Sequence, residues 1–467
     1  MPRVELPRFQ VLIDESYGTS EESSRVVTPR ESHHNRTNIS SVFGSVLTLC
    51  AAAVGVGVVA LPYAFSLIGM WSGVVCVLGI AILTTVHLVW MLECSQVSKK
   101  VTFEGNVKFF LGDIGECFLS VNLGLLLLGG CVAMFVVSVS TLRAINDTFV
   151  VDIGIIGLSV AMCLFVMEDP ARRLGFTSFF AVSCILHICL LMGLQWNQRA
   201  KDSFGEEECP EVPSSGLLTD WVTSSSIILN SFIMNFIFFE VVATIPRGPT
   251  LSIKIKQIIF VAIGFVIVPI YIFIGLAGIY GLGTCGKVSS NIFLSEMWSI
   301  DPVLVNSGRI SLSLLNIFKF PLLMLPLCHT VFPGSDENRR TQICILFPIV
   351  AGLSYLFRDI AQVLNWMGTT CGISLGFIIP AAMFYRLQDI EGEQADLAQR
   401  IMMYHQSLPE TEPVTPSARN RAKSRTLKKG FCLVLLTSSI VYAITGIIVD
   451  LNSPTSILGF ILFTYDN

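Results

Sequence analysis

The sequence predicts an all-α polytopic membrane protein with about eleven transmembrane helices. Three observations carry that reading. Hydrophobic residues make up 52% of the 467-residue chain and gather in blocks rather than stripes. Blocks of about 20 apolar residues are long enough to cross a hydrocarbon core as helices. Charged residues are scarce, at 14%, where soluble domains carry roughly 25%. Lysine and arginine concentrate in alternate connecting segments, the pattern that sets membrane orientation.

Residues 1–40 are polar, include GTSEESS, and are expected to form a disordered cytoplasmic tail. They lack the apolar core of a secretory signal peptide, so the first span is expected to serve as the targeting signal. The transporter-sized body, 41–450, holds candidate spans at 42–69, 72–96, 115–146, 152–168, 174–196, 222–244, 255–282, 307–331, 341–357, 362–386 and 430–449. The span at 152–168 is the weakest, being short and containing Gly154 and Gly157. The segment 387–429 begins acidic (DIEGEQAD) and ends basic (RNRAKSRTLKKG). It reads as a solvated cytoplasmic linker, with docking to anionic lipid as the sharper alternative. Residues 451–467 are apolar but too short to span, and form a short outer tail.

With the N-terminus in the cytoplasm, every inner segment is basic: Lys99, Lys100 and Lys108; Arg172 and Arg173; Arg247, Lys254 and Lys256; Arg339 and Arg340; and the run from Arg386 to Lys429. The C-terminus then lies outside. The implied partner is a lipid bilayer and not nucleic acid. The plasma membrane and a vacuolar or lysosomal membrane both remain open. None of the 14 cysteines forms C-x-x-C or a metal-ligand spacing with histidine, so no metal site is expected. Cys209 (GEEECPEV) and Cys285 (LGTCGKV) each sit on an outer loop, on the oxidising side. A disulfide between the loops before span 6 and after span 7 is expected; two unpaired thiols are the alternative.

The stretch CAAAVGVGVVALPYAF, from Cys50 to Phe65, holds the most informative irregularity. Gly55, Gly57 and Ala60 fit a dinucleotide fingerprint, but no strand precedes them and position 75 is Val where an acidic residue would be needed. Two membrane readings remain. The glycines could let helices approach closely, or the helix could unwind at Gly55 and Gly57, ahead of Pro62. Unwound backbone at membrane depth is tolerated only where it lines a cavity. Such breaks form the substrate and ion sites of many secondary transporters, and the second reading is preferred.

The sequence GVGVVALPYAFSLIGMWSG resembles the first-span motif of the amino acid/auxin permease family, within the amino acid–polyamine–organocation superfamily. Gly55, Gly57, Leu61, Pro62, Ala64, Phe65 and Gly69 match G-x-G-(I/L)-x-x-(L/M)-P-x-A-(F/M)-x-x-x-G. NFIFFEVVATIP is similar to the sixth span, FKFPLLMLP to the paired-proline eighth, and LNWMGTTCGISLGFIIPAAMFY to the tenth. The placement of Cys209 and Cys285 also resembles the outer disulfide of eukaryotic members. The resemblance implies a 5+5 inverted repeat, with broken spans 1 and 6 meeting at the substrate, plus an eleventh helix. The backbone at Gly55, Val56 and Gly57 would hold an amino-acid carboxylate at a half-helix's positive end. An opposing break is expected between Ser231 and Phe238, where Asn230, Ser231 and Asn235 are polar and no glycine assists. Ser231 and Asn235 are its candidate substrate-binding side chains; plain helix–helix hydrogen bonding is the alternative there.

Lys319 stands mid-way along the eighth span, where a charge is costly and marks function by default. In sodium-coupled members of the resembled family, the position two before the first paired proline often carries a hydroxyl that helps bind sodium. An amide often precedes the first-span glycines. Here those places hold Lys319 and the apolar run Ala51–Ala53. Lys319 is therefore expected to replace the ion, bracing span 8 against span 1, and is also a candidate proton carrier; a purely structural pairing is the alternative. His87, Glu93, His187 and Glu240 are expected to be structural, and Arg143 to reach headgroups. The expectation is a secondary active or facilitative amino acid transporter working by alternating access, proton-coupled or uncoupled rather than sodium-coupled. An amino-acid sensor on the same fold is the alternative. No enzyme chemistry, cofactor or metal is expected.

Overall fold

The α-helices follow the apolar blocks closely because, in hydrocarbon, a helix satisfies its own backbone. A computed structural model describes residues 42–100, 102–168, 170–202, 217–245, 250–283, 288–332, 338–357, 359–406 and 416–452. Cys209 and Cys285 lie outside the described residues. Span 1 is split into α1 (Val42–Ala53) and α2 (Gly57–Ile68), bent by 57°. Spans 2 to 5 are α3 (Met70–Ser98), α4 (Phe103–Arg143), α5 (Phe149–Glu168) and α6 (Pro170–Asp202). Span 6 is split again, into α7 (Leu217–Ser231) and α8 (Asn235–Thr244). Span 7 comprises α9 (Leu251–Phe260) and α10 (Val268–Leu282); spans 8 and 9 are α11 (Pro302–Val331) and α12 (Arg339–Leu356). Span 10 comprises α13 (Ile360–Met367) and α14 (Ile379–Gln406), and span 11 is α15 (Pro416–Asn452).

Nine of the described spans are long and apolar enough to cross a membrane, and the bent α1–α2 pair makes ten. The ninth span, α12, falls short because it opens on Arg339, Arg340, Thr341 and Gln342. The break therefore recurs after five crossings. An odd number of crossings reverses chain direction, so the second half repeats the first upside down. The two halves interlock: α4 packs along α11, and α2 along α7. Span 10 is central, with 83% of its apolar window buried, while span 11 is peripheral at 11%.

Three departures from the expected boundaries have local causes. α4 begins twelve residues before the predicted span because an amphipathic arm is merged into it at Gly112, whose φ of 73° turns the chain. Spans 7 and 10 widen to π-helix over Val261–Ile267, and over Gly368–Gly372 and Ser374–Ile378. Each widening precedes a proline, Pro269 or Pro380, that cannot donate to the preceding turn. The expected linker 387–429 is helical at both ends, since α14 continues to Gln406 and α15 starts at Pro416. An ion pair between Lys429 and Asp389 joins the two helices.

One face of the bundle is capped by residues 288–301. Phe293 is fully buried and stacks on Trp298 at 5.4 Å. Buried Gln195 donates to the carbonyls of Gly281 (2.8 Å) and Met297 (3.0 Å) and accepts from the Ser299 amide (3.0 Å). Arg309 donates to the Phe293 carbonyl at 3.2 Å. At the same face Arg143 pairs with buried Asp152, which also accepts from the Tyr355 hydroxyl at 2.9 Å. This corrects the expectation that Arg143 reaches headgroups: an unpaired carboxylate at Asp152 would be far costlier to bury.

Candidate functional site

The first break starts where regular hydrogen bonding ends. The Val54 amide still reaches the Cys50 carbonyl (2.8 Å); beyond it, the Val58 and Val59 amides make only tight-turn bonds to Gly55 (3.0 Å) and Val56 (3.3 Å). No described backbone group accepts from the amides of Gly55, Val56 and Gly57. α2 also begins without a side-chain cap. Its first turn thus presents free donors and the positive end of its dipole to the cavity.

Lys319 meets the other half of the break. Its side chain is 5% exposed, and Nζ donates to the Ala52 carbonyl at 2.6 Å. That carbonyl is one of those left free at the end of α1, where the helix dipole is negative. A methyl group on Gly55 would fall on Lys319 Nζ, so the glycine is what admits the lysine.

The second break covers Phe232–Met234, at the near edge of the expected window. With no glycine available, the chain is opened differently. The Phe232 and Ile233 amides close tight turns onto Leu229 and Asn230. The buried Tyr271 hydroxyl donates to the Ser231 carbonyl at 2.6 Å, satisfying it outside the helix. Tyr271 also packs edge-on against Phe232, with ring centroids 5.0 Å apart. The two breaks touch, because a methyl on Gly57 would collide with Ser231 Oγ.

Between them lies a cavity of about 60 Å³ lined by Gly55, Val56, Gly57, Asn230, Ser231 and Lys319, with apolar walls from spans 3, 8 and 10. Five of the six expected site residues therefore converge. Asn235 does not join them. It is buried and donates to the carbonyls of Leu375 (3.1 Å) and Gly376 (3.4 Å), which the π-helix of span 10 leaves available. Asn230 lines the cavity instead.

A second recess, of about 170 Å³, opens between spans 6 and 8 on the face opposite the 288–301 cap. Pro321 and Leu322, just past Lys319, lie at its depth; Glu240, His329 and Arg339 also line it. His87 Nδ1 donates to the Leu83 carbonyl (2.6 Å), and the ring sits edge-on to Trp90 and Phe377, a packing role. His187 bonds Ser311 Oγ at 2.7 Å, and Glu93 pairs with Lys256 at 3.8 Å.

Two groups escaped the sequence reading. Tyr271 was one aromatic among many in an apolar span. Asp450, at the end of span 11, is 4% exposed and accepts from Asn365 Nδ2 (2.5 Å) and Thr369 Oγ1 (2.9 Å). Asn365 Oδ1 in turn accepts from Ser226, in α7. The pattern Asn365…Thr369, one turn apart on a central span, was the available signal. Among the described residues, no group of three or more His, Cys, Asp or Glu could hold a metal ion.

The amino acid transporter AVT6C of Arabidopsis thaliana is 23% identical over 413 residues, covering 79% of this chain and 91% of the relative. AVT6D of the same plant is 22% identical over 388 residues, covering 75% and 86%. Among solved structures, the nucleobase-cation-symport-1 family transporter Mhp1, in a closed conformation with bromovinylhydantoin bound, superposes with a TM-score of 0.53 at 16% identity, covering 74% of this chain and 79% of that one. A mutant manganese transporter of Eremococcus coleocola gives 0.51 at 11% identity, covering 91% and 98%. These likenesses establish the fold. The profile of the transmembrane amino acid transporter proteins matches residues 38–405, and the chain belongs to that family.

Proposed function

We propose that this chain carries amino acids across a membrane by alternating access, with Lys319 in place of a sodium ion. The amides of Gly55, Val56 and Gly57 receive the substrate carboxylate, and the side-chain oxygens of Asn230 and Ser231, which line the same cavity, receive its ammonium. The observation that carries the reading is the bond from Lys319 Nζ to the Ala52 carbonyl. It puts a basic side chain beside the broken backbone of span 1 and joins that break to span 8. A sodium ion there would meet the ammonium within the same few ångströms, and like charges at that range repel strongly in a low-dielectric interior. Coupling to protons, or none, follows. The positive-inside pattern supports a cytoplasmic N-terminus. The 288–301 cap then closes the outer side, and the Glu240 recess opens inward. Cys209 and Cys285 would share the outer, oxidising side, where we propose that they pair.

The test is uptake by purified protein in proteoliposomes, with imposed pH or sodium gradients and a panel of labelled amino acids. Uptake of at least one amino acid, unaffected by removing sodium, is expected. Sodium-driven accumulation would overturn the coupling assignment. Ligand-dependent binding without flux would overturn transport in favour of sensing.

A further inference from the structure

Resting on that reading of the site, we infer that the substrate is a small neutral amino acid of glycine or alanine size, and that Met367 and Leu323 set the limit. Charge comes first. Among the residues lining the cavity, Lys319 is the only charged one, and none is acidic. A zwitterion's carboxylate beside Gly55 uses the one positive charge. A lysine or arginine side chain would then be buried without a counter-charge, and a glutamate side chain without a second cation, each a large desolvation penalty. Apart from Asn230 and Ser231, the remaining lining is apolar, including Leu126, Ala133 and Phe236.

Size follows from the volume. A buried water needs about 10–15 Å³ on this measure, so a cavity of about 60 Å³ takes roughly four to six such groups. That fits glycine or alanine and falls short of leucine or phenylalanine. The limiting wall is backed by main chain. A methyl on Gly129 would meet Met367 Sδ at 2.9 Å, and one on Gly130 would meet Leu323 Cδ1 at 2.8 Å. Both side chains occupy the space that these glycines of span 3 leave. Both line the cavity with span 3 behind them, so the pair bounds it on that side.

Counterflow of labelled alanine in proteoliposomes, with unlabelled glycine, serine, leucine, phenylalanine, lysine and glutamate as competitors, tests this directly. Thermal shift of the purified protein with the same set reads binding separately. In the unaltered protein glycine, alanine and serine should compete, leucine and phenylalanine at least about 10-fold more weakly, and lysine and glutamate not at all. Met367→Ala should raise leucine competition relative to alanine by about 10-fold or more. Leu323→Ala should move the ratio in the same direction, covering the case in which one variant fails to fold. Equal competition by leucine, lysine or glutamate in the unaltered protein would overturn the inference while leaving transport standing. So would an unchanged leucine-to-alanine ratio in both variants. If none of these amino acids shifts melting or exchanges, the transport reading falls with it.

Discussion

Gly55 and Gly57 are needed for the space they leave, not for conformational freedom. Positive φ among the described residues is confined to Gly69, Gly112 and Lys99. Both glycines of the break have ordinary backbone and are instead pressed against Lys319 Nζ and Ser231 Oγ. Gly55→Ala should therefore lower stability by about 1–3 kcal/mol, as overpacking does. The loss should shrink in a Lys319→Ala background, giving a coupling of about 0.5–3 kcal/mol in a double-mutant cycle of thermal melts. Equal losses in both backgrounds would mean that the lysine is not what the glycine accommodates. Lys319 itself makes the converse prediction. Removing the buried charge recovers its desolvation cost but leaves the Ala52 carbonyl without its donor. With these two effects opposed, Lys319→Met should change the melting temperature little, yet lose uptake. Unaltered uptake with an unchanged pH profile would remove Lys319 from the mechanism.

At the scale of the element, the two breaks are held open by different means. Span 1 is opened by glycine and by a lysine that occupies a freed carbonyl. Span 6 has no glycine and depends on a neighbour, since the Tyr271 hydroxyl holds the Ser231 carbonyl away from its helix. Tyr271→Phe keeps the ring packing and removes only that donor. It should cost about 1–3 kcal/mol, the penalty of an unsatisfied buried carbonyl, and slow exchange of the substrate. Span 11 lies outside the repeat and mostly outside the core, but is fastened by its polar end. Asp450 takes donors from Asn365 and Thr369 on span 10, and Asn365 links on to Ser226 of α7. Tyr442, two turns earlier, bonds Ser225 at 2.8 Å and the Val222 carbonyl at 3.2 Å. Asp450→Ala would strand two buried donors and should lower the melting temperature in detergent by several degrees, an effect of about 1–3 kcal/mol. A melt identical to the unaltered protein would show that packing alone holds span 11.

Across the whole molecule, what the sequence made legible were features with a strong one-dimensional signature. Span positions follow from bilayer thickness, and the first break from glycines and a proline inside an apolar block. Lys319 stood out as a charge at a depth where charges are rare, although its partner, Ala52, lies 267 residues away. Features that depend on which helix face meets which neighbour were not legible. One residue of slip rotates a helix by about 100°, so the break's exact position decided whether Asn230 or Asn235 faced the cavity. The Arg143–Asp152 and Asp450–Asn365 pairings required knowing which span ends adjoin. The arrangement that emerges is asymmetric: the 288–301 segment seals one face, while the recess at Glu240 reaches within a turn of Lys319 from the other. If this is one state of an alternating cycle, a cysteine at Glu240 should react with a membrane-impermeant thiol reagent from the cytoplasmic side and not from outside. A cysteine at Phe293, fully buried beneath the cap, should react from neither side at rest. Saturating substrate on the outer face should then change both rates, exposing position 293 from outside as position 240 becomes protected. Both positions are best read on a background freed of the exposed Cys117 and Cys344. Labelling at 240 from outside, or rates that ignore substrate at both positions, would rule out the rocking of one half against the other that alternating access requires.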